Sequence, residues 1–276
     1  MKQASSFAEI LTQTRYPMKR LGTVWSKLRW SLAQRGLAGT MRTALGRLHR
    51  QDSAAEKPLL HPFDQRYGVD TSGLIGGGEL RTGHKNDVFN TAYYGMAPSR
   101  FRRVIEDWIS DAGHAAISQY SFIDLGCGKG RAVMMASEFS FRQVIGVELN
   151  ASLAKTAESN LAAWTSAGRA MCSARILHQD ATEFSFPDGP CLLYLFNPFA
   201  APVVKLLLEQ LEAEFVSRPG QLDIIYFNPE AGELLEAHAG FRLLWTGTVD
   251  LSEEDAAADH VASPEDLCSV YRWVGA

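Results

Sequence analysis

Residues 122–131, FIDLGCGKGR, constrain the fold more than any other stretch: an apolar run meets one acid, Asp124, and then glycines at alternate positions, Gly126, Gly128 and Gly130. Glycine takes backbone angles that other residues resist, and its missing side chain lets a ligand lie against the main chain. Glycines alone also serve to tighten a turn between a strand and a helix. In open parallel sheets that turn lies at the rim where ligands bind, near the switch point in strand order.

The surrounding pattern places the turn in such a sheet. Short apolar runs predict strands at Tyr120–Asp124, Gln143–Glu148, Arg175–His178, Cys191–Phe196, Asp223–Phe227, Phe241–Val249 and Leu267–Trp273. Helical spacing fits Arg131–Glu138, Leu153–Thr165, Val203–Glu214 and Ala231–Ala237, and Pro98 with Ser99 starts a further helix reaching Ser110. Four gaps between strands can therefore hold a crossover helix, which predicts parallel strands covered on both faces. The last two strands follow one another with only an acidic turn, Glu253–Asp259, between them, and can pair as an antiparallel edge. The expected fold class is α/β: a Rossmann-like, seven-stranded, mostly parallel sheet with an antiparallel last strand, helices on both faces and an N-terminal helical extension.

The loop spacing is G-x-G-x-G, not the G-x-G-x-x-G of a dinucleotide fingerprint. A pyrophosphate needs a helix N-terminus and a ring of N–H groups, and neighbouring carboxylates repel it. Asp124 stands immediately before this loop. A nucleoside that carries a cationic centre and an ammonium suits the position better, and S-adenosylmethionine is such a ligand. An NAD-dependent oxidoreductase is correspondingly disfavoured.

Two further acids recur at successive strand ends. Glu148 closes VIGVELN, 22 residues after Gly126, where a carboxylate can accept hydrogen bonds from both ribose hydroxyls. Asp180, in ARILHQDATEF, follows the third strand and can accept from an adenine amino group while Ala181 or Thr182 offers a backbone N–H. Either acid alone also fits a helix cap or a solvated loop.

On FIDLGCGKG, supported by GVELN and HQDA, residues 90–276 resemble a class I, seven-stranded S-adenosylmethionine-dependent methyltransferase. The resemblance implies that Asp124, Gly126, Cys127, Gly128 and Gly130 hold the methionine portion of S-adenosylmethionine. It also implies that Glu148 and Leu149 hold the ribose, that Asp180 and Ala181 mark the adenine end, and that Asn197 adjoins the cofactor. Lys129 is expected to point outward, and Arg131 to brace the loop by pairing with an acid. No metal is implied.

LLYLFNPF sets Asn197, Pro198 and Phe199 at the end of the fourth strand, similar to the Asn/Asp-Pro-Pro-aromatic motif of amino-methylating relatives. In those relatives the polar side chain and a carbonyl hold the acceptor nitrogen, and the aromatic packs over a planar substrate. Asn197, Phe199 and Tyr94 are the catalytic candidates here. The second proline is missing, and Asn-Pro is also an ordinary way to leave a strand. IIYFNPE repeats the step with Asn228 and Pro229. Tyr93 and Tyr94 can cover the cofactor, and His84, Lys85 and Asp87 can belong to an acceptor lid or simply pack and solvate the flap.

The preferred reading is methyl transfer to a nitrogen or oxygen of a small or peptide-like acceptor. A protein lysine is the alternative, an RNA acceptor is less favoured, and a non-enzymatic cofactor binder is the rival outside catalysis. Charge carries the judgement on RNA. Residues 1–50 hold ten Lys or Arg against one acid, leaving seventeen against thirty elsewhere, a net of −13 for residues 51–276. A bound nucleic-acid backbone usually needs a basic track, so nucleic acid is expected to be an unlikely partner.

Residues 1–62 read as a basic extension and linker, and residues 63–276 as the catalytic domain, with 63–97 a lid segment that is an ordered loop or a flap. Within 18–36, Leu21, Val24, Trp25, Leu28 and Leu32 recur at helical spacing among basic residues. This amphipathic helix suits an anionic membrane surface, nucleic acid or the catalytic domain itself. Cys127, Cys172, Cys191 and Cys268 form no CxxC pair, which fits a reducing cytosol, and no run is long enough to span a membrane. A cytoplasmic protein with peripheral membrane contact is the expected setting.

Overall fold

The computed structural model describes residues 60–110, 116–258 and 266–275. The predicted amphipathic helix over 18–36 lies outside the described residues.

Strand β3 (Ser121–Leu125) is buried at every position, as a central strand covered on both faces must be. Around it run β4 (Gln143–Glu148), β5 (Ala174–His178), β6 (Cys191–Phe196), β7 (Leu222–Phe227), β8 (Phe241–Thr248) and β9 (Leu267–Trp273). Their spatial order is β5-β4-β3-β6-β7-β9-β8, with β9 antiparallel to both its neighbours and the other pairings parallel. Every predicted strand is present to within a residue at each end. The strand order refines the expected antiparallel edge: β9 inserts between β7 and β8, so β8, not the last strand, forms the rim.

The period-two alternation divides the core into two layers. Phe122, Tyr194, Ile225 and Phe227 face one side, where they meet α2 (Pro98–Ser110), α3 (Arg131–Ala136) and α4 (Ala151–Ser166) through residues such as Phe101, Val133 and Trp164. Ile123, Leu193, Ile224 and Tyr226 face the other, against α5 (Ala201–Phe215) and α6 (Gly232–Glu236) through Leu207, Leu211 and Leu235. Asn150 caps α4, its side chain accepting from Ser152 and Leu153 N–H. The segment expected as an acidic turn contains a short helix, α7 (Glu253–Ala258), whose three acids occupy the first turn, the favoured end of the helix dipole, ahead of helix-forming alanines.

Residues 60–97 are ordered by polar contacts rather than by a long element. Helix α1 (Pro62–Tyr67) precedes the strands β1 (Leu74–Ile75) and β2 (Tyr93–Tyr94), which pair antiparallel. Between them, residues 68–72 form a strap that crosses the glycine loop.

Candidate active site

The glycine loop leaves β3 with Gly126, Gly128 and Gly130 all in left-handed backbone conformations, φ 79°, 56° and 80°. Gly126 and Cys127 N–H donate to the carbonyl of Val147 at 2.8 and 3.0 Å, fastening the turn to β4. A side chain is excluded at two of these positions by close approach. A Cβ on Gly126 would lie 2.6 Å from Pro198 Cβ, and one on Gly128 would lie 2.3 Å from the Tyr93 ring.

Glu148, at the end of β4, closes the loop from the side: Oε2 accepts from Gly128 N–H and Oε1 from Asn150 N–H, both at 2.8 Å. Burial pushes its carboxyl up, and those N–H donors pull in the opposite direction. Asp124 is buried and accepts no side-chain hydrogen bond from the described residues. Burial, and then the charge of Glu148, hold its carboxyl well above the usual range. A buried carboxylate without a donor is costly, so Asp124 is a ready partner for a cation. Burial likewise raises the Cys127 thiol, which is therefore not poised as a thiolate nucleophile.

Asp180 follows β5. Its Oδ1 accepts from Thr182 N–H at 2.9 Å and its Oδ2 from Asn86 Nδ2 at 3.0 Å, with His84 Nε2 3.5 Å away. The opposite wall comes from residues 86–96. Thr91 N–H donates to Pro198 O at 3.2 Å, the Thr91 hydroxyl to Asn197 O at 2.6 Å, and Ala200 N–H to Phe89 O at 2.8 Å. Between these walls lies a cleft of about 940 Å³, open mouth included.

Of the expected cofactor residues, Asp124, Gly126, Cys127, Gly128, Glu148, Leu149, Asp180 and Ala181 line this one cleft, and so do Tyr94 and Phe199. Two stand off its wall. Gly130 packs toward Ala157, and Asn197, in a left-handed conformation at φ 43°, turns its Oδ1 toward the Tyr226 hydroxyl 3.4 Å away. The Tyr94 and Phe196 rings lie 6.3 Å apart in the wall, and Phe199, also in the wall, lies against Gly126.

Sequence reading missed how the strap holds the loop. Asp64 accepts from Thr71 and Ser72 N–H at 2.7 Å each, from the Ser72 hydroxyl at 2.6 Å and from the Thr71 hydroxyl. Arg131 donates to Thr71 Oγ1 at 2.6 Å and to Met96 O at 3.1 Å, with Asp64 3.8 Å away, so it braces the loop through hydroxyl and carbonyl groups as well as an acid. Lys129 does not point outward: its ammonium donates to Asp70 at 2.7 Å and to Ser72 O at 2.9 Å. Tyr93 donates to Thr71 O at 2.7 Å while its ring covers Gly128. The available signal was the density of acids and hydroxyls in FDQRYGVDTS.

Residues 123–195, the stretch that carries Asp124, the glycine loop, Glu148 and Asp180, match a family model described as a methyltransferase domain. The chain has the class I, S-adenosylmethionine-dependent methyltransferase fold. The residues of the cleft fit the cofactor of that fold: a buried carboxylate, Asp124, that can face an ammonium, a loop that admits close approach, and a second carboxylate, Glu148, with lone pairs left for hydroxyls. A search of curated proteins finds no match to the chain.

Among solved structures, the chain is similar to an RNA methyltransferase from Salinibacter ruber in complex with S-adenosyl-L-homocysteine, at 21% identity over 63% of this chain and 88% of that one, with a TM-score of 0.39. It is similar to a TehB-like S-adenosylmethionine-dependent methyltransferase from Corynebacterium glutamicum, at 17% identity over 65% and 89% of the two chains, with a TM-score of 0.38. It is also similar to an rRNA methylase from Streptococcus thermophilus, at 10% identity over 57% and 89%, with a TM-score of 0.39. The RNA methylases in this group overturn the expectation that nucleic acid is an unlikely partner. Net charge summed over residues 51–276 says nothing of the local field at an acceptor face, which is what a phosphate backbone meets. Among the described residues, no helix is long and apolar enough to cross a membrane.

Proposed function

We propose that this methyltransferase transfers the methyl group of S-adenosylmethionine to a nitrogen of a macromolecule presented against the aromatic side chains of the cleft. One observation carries the reading. A single cleft is lined both by the carboxylates Asp124 and Glu148 with the glycine loop and by the aromatic side chains Tyr94, Phe196 and Phe199.

Bound S-adenosylmethionine supplies an activated sulfonium methyl for in-line displacement, so the chain's own contribution is positioning. Asp124 holds the ammonium of the amino-acid end, and Glu148, already fixed by two backbone donors, offers its remaining lone pairs to the ribose hydroxyls. Tyr93 closes over the loop and Arg131 keeps residues 71 and 95–96 in place behind it. In the same wall, Tyr94 and Phe199 offer apolar faces on which a planar base or the stem of a lysine can lie. Asn197 supports this wall through its carbonyl, bonded to Thr91, and through the turn that seats Pro198 on Gly126.

A macromolecular acceptor would cover two exposed apolar side chains that lie beside the residues of the wall. Leu74, paired with Tyr94, is 57% exposed, and Val88, between the cleft residues Asn86 and Asn90, is 70% exposed. The purified chain, incubated with a radiolabelled methyl donor and fractionated cell extract, is expected to label protein or RNA in a donor-dependent way. Label confined to the small-molecule fraction would refute the macromolecular reading.

A further inference from the structure

Asp180 is the residue the sequence nominates to read the adenine amino group, and in the structure its oxygens accept from Thr182 N–H and from Asn86 Nδ2. The second of these contacts fixes the orientation of another side chain. A carboxylate cannot donate, so an amide resting on it must present its NH₂ group and turn its carbonyl away. Asn86 is buried, lines the cleft, and its Oδ1 accepts no hydrogen bond from the described residues. The result is a lone amide carbonyl, held at the Asp180 end of the cleft.

The loop that carries Asn86 is built to hold it there. Asp87 accepts from Thr82 and Gly83 N–H at 2.7 Å each, from His84 N–H at 3.1 Å and from the Thr82 hydroxyl at 2.9 Å. Asn86 N–H donates to His84 Nδ1 at 3.2 Å, and Phe89 N–H donates to Asn86 O at 2.9 Å. The turn is therefore closed on itself, with the Asn86 side chain the part that extends to Asp180.

We propose that Asn86 is the residue that selects the purine, its Oδ1 accepting a hydrogen bond from the exocyclic 6-amino group of the cofactor, while Asp180 acts as the positioning residue that sets the amide's direction. The inference rests on the cleft being the S-adenosylmethionine site. An acceptor fixed in that direction welcomes a 6-amino purine and opposes a 6-oxo purine, whose own carbonyl would face it with no proton between them. Leaving a buried polar group opposed by a like one is what gives polar recognition its discrimination.

Calorimetry on the full chain with S-adenosylhomocysteine and its 6-oxo counterpart, S-inosylhomocysteine, tests it. The wild-type chain is expected to prefer the adenosyl ligand by roughly 30-fold or more. Asn86→Ala should weaken the adenosyl ligand about 10-fold and reduce the preference to about threefold or less. Asp180→Asn supplies a second arm, because an amide at 180 can donate, which frees Asn86 to turn its NH₂ group to the cleft. The preference should then move toward the inosyl ligand by about 10-fold. Equal affinity of the wild-type chain for both ligands, or Asn86→Ala weakening both in one proportion, would overturn the assignment, as would a wild-type preference surviving intact in Asp180→Asn. Binding of neither ligand by the wild-type chain would remove the cofactor site itself.

Discussion

Asp124 shows how far one side chain can be read from its neighbours. Its place before the glycines suggested a partner for a cation, and the structure adds that it is buried beside Glu148 without a donor of its own. Its carboxyl is raised in the free protein, and an ammonium bound against it favours the ionised form. Binding should therefore release a proton, and affinity for S-adenosylhomocysteine should climb as pH rises from the ordinary carboxylate range and level off above the raised value. Asp124 and Glu148 titrate as a pair, so the slope belongs to both. Asp124→Asn should flatten it and weaken binding about 10- to 100-fold. Calorimetry in buffers of different ionisation heat counts the protons, and a proton count of zero with a pH-independent Kd would exclude this role. Other residue-scale features were hidden from the sequence because they depend on distant partners. Asn86 meets a residue 94 positions away and Lys129 one 59 positions away, so neither side chain's direction is legible in its local pattern.

At the scale of elements, legibility followed periodicity. The strands and long helices declared themselves because their apolar residues recur at spacings set by the pleat and the helical turn. The strap over residues 64–72 has no such period, since polar contacts to a glycine loop hold it in place. Its centre is Asp64, which gathers two N–H groups and two hydroxyls from Thr71 and Ser72 and stands beside Arg131. Asp64→Ala leaves those buried donors without an acceptor and should cost about 2–4 kcal/mol of stability. Because Thr71 also positions Tyr93 and Arg131, affinity for S-adenosylhomocysteine should fall in the same variant, although Asp64 itself does not line the cleft. Denaturant unfolding and calorimetry check the two halves. Unchanged ligand affinity in a destabilised Asp64→Ala chain would show that the strap supports the fold and not the loop.

For the molecule as a whole, the layer order and the crossover helices were legible because hydrophobic alternation and chain connectivity leave few arrangements. The seat of β9 was not, since which strand lies beside β7 is a long-range choice between two candidates of similar composition. That seat governs how the protein can be made. Strand β9 must slide between two strands synthesised before it, so the sheet stays split until residues 267–273 have been made. A message cut short ahead of Leu267 would yield a product with β7 stripped of its neighbour and β8 of its partner, two raw edges inviting self-association. Such a product is expected in the insoluble fraction of an expression lysate, and its recovery as a soluble, cofactor-binding monomer would show that β7 can end the sheet on its own.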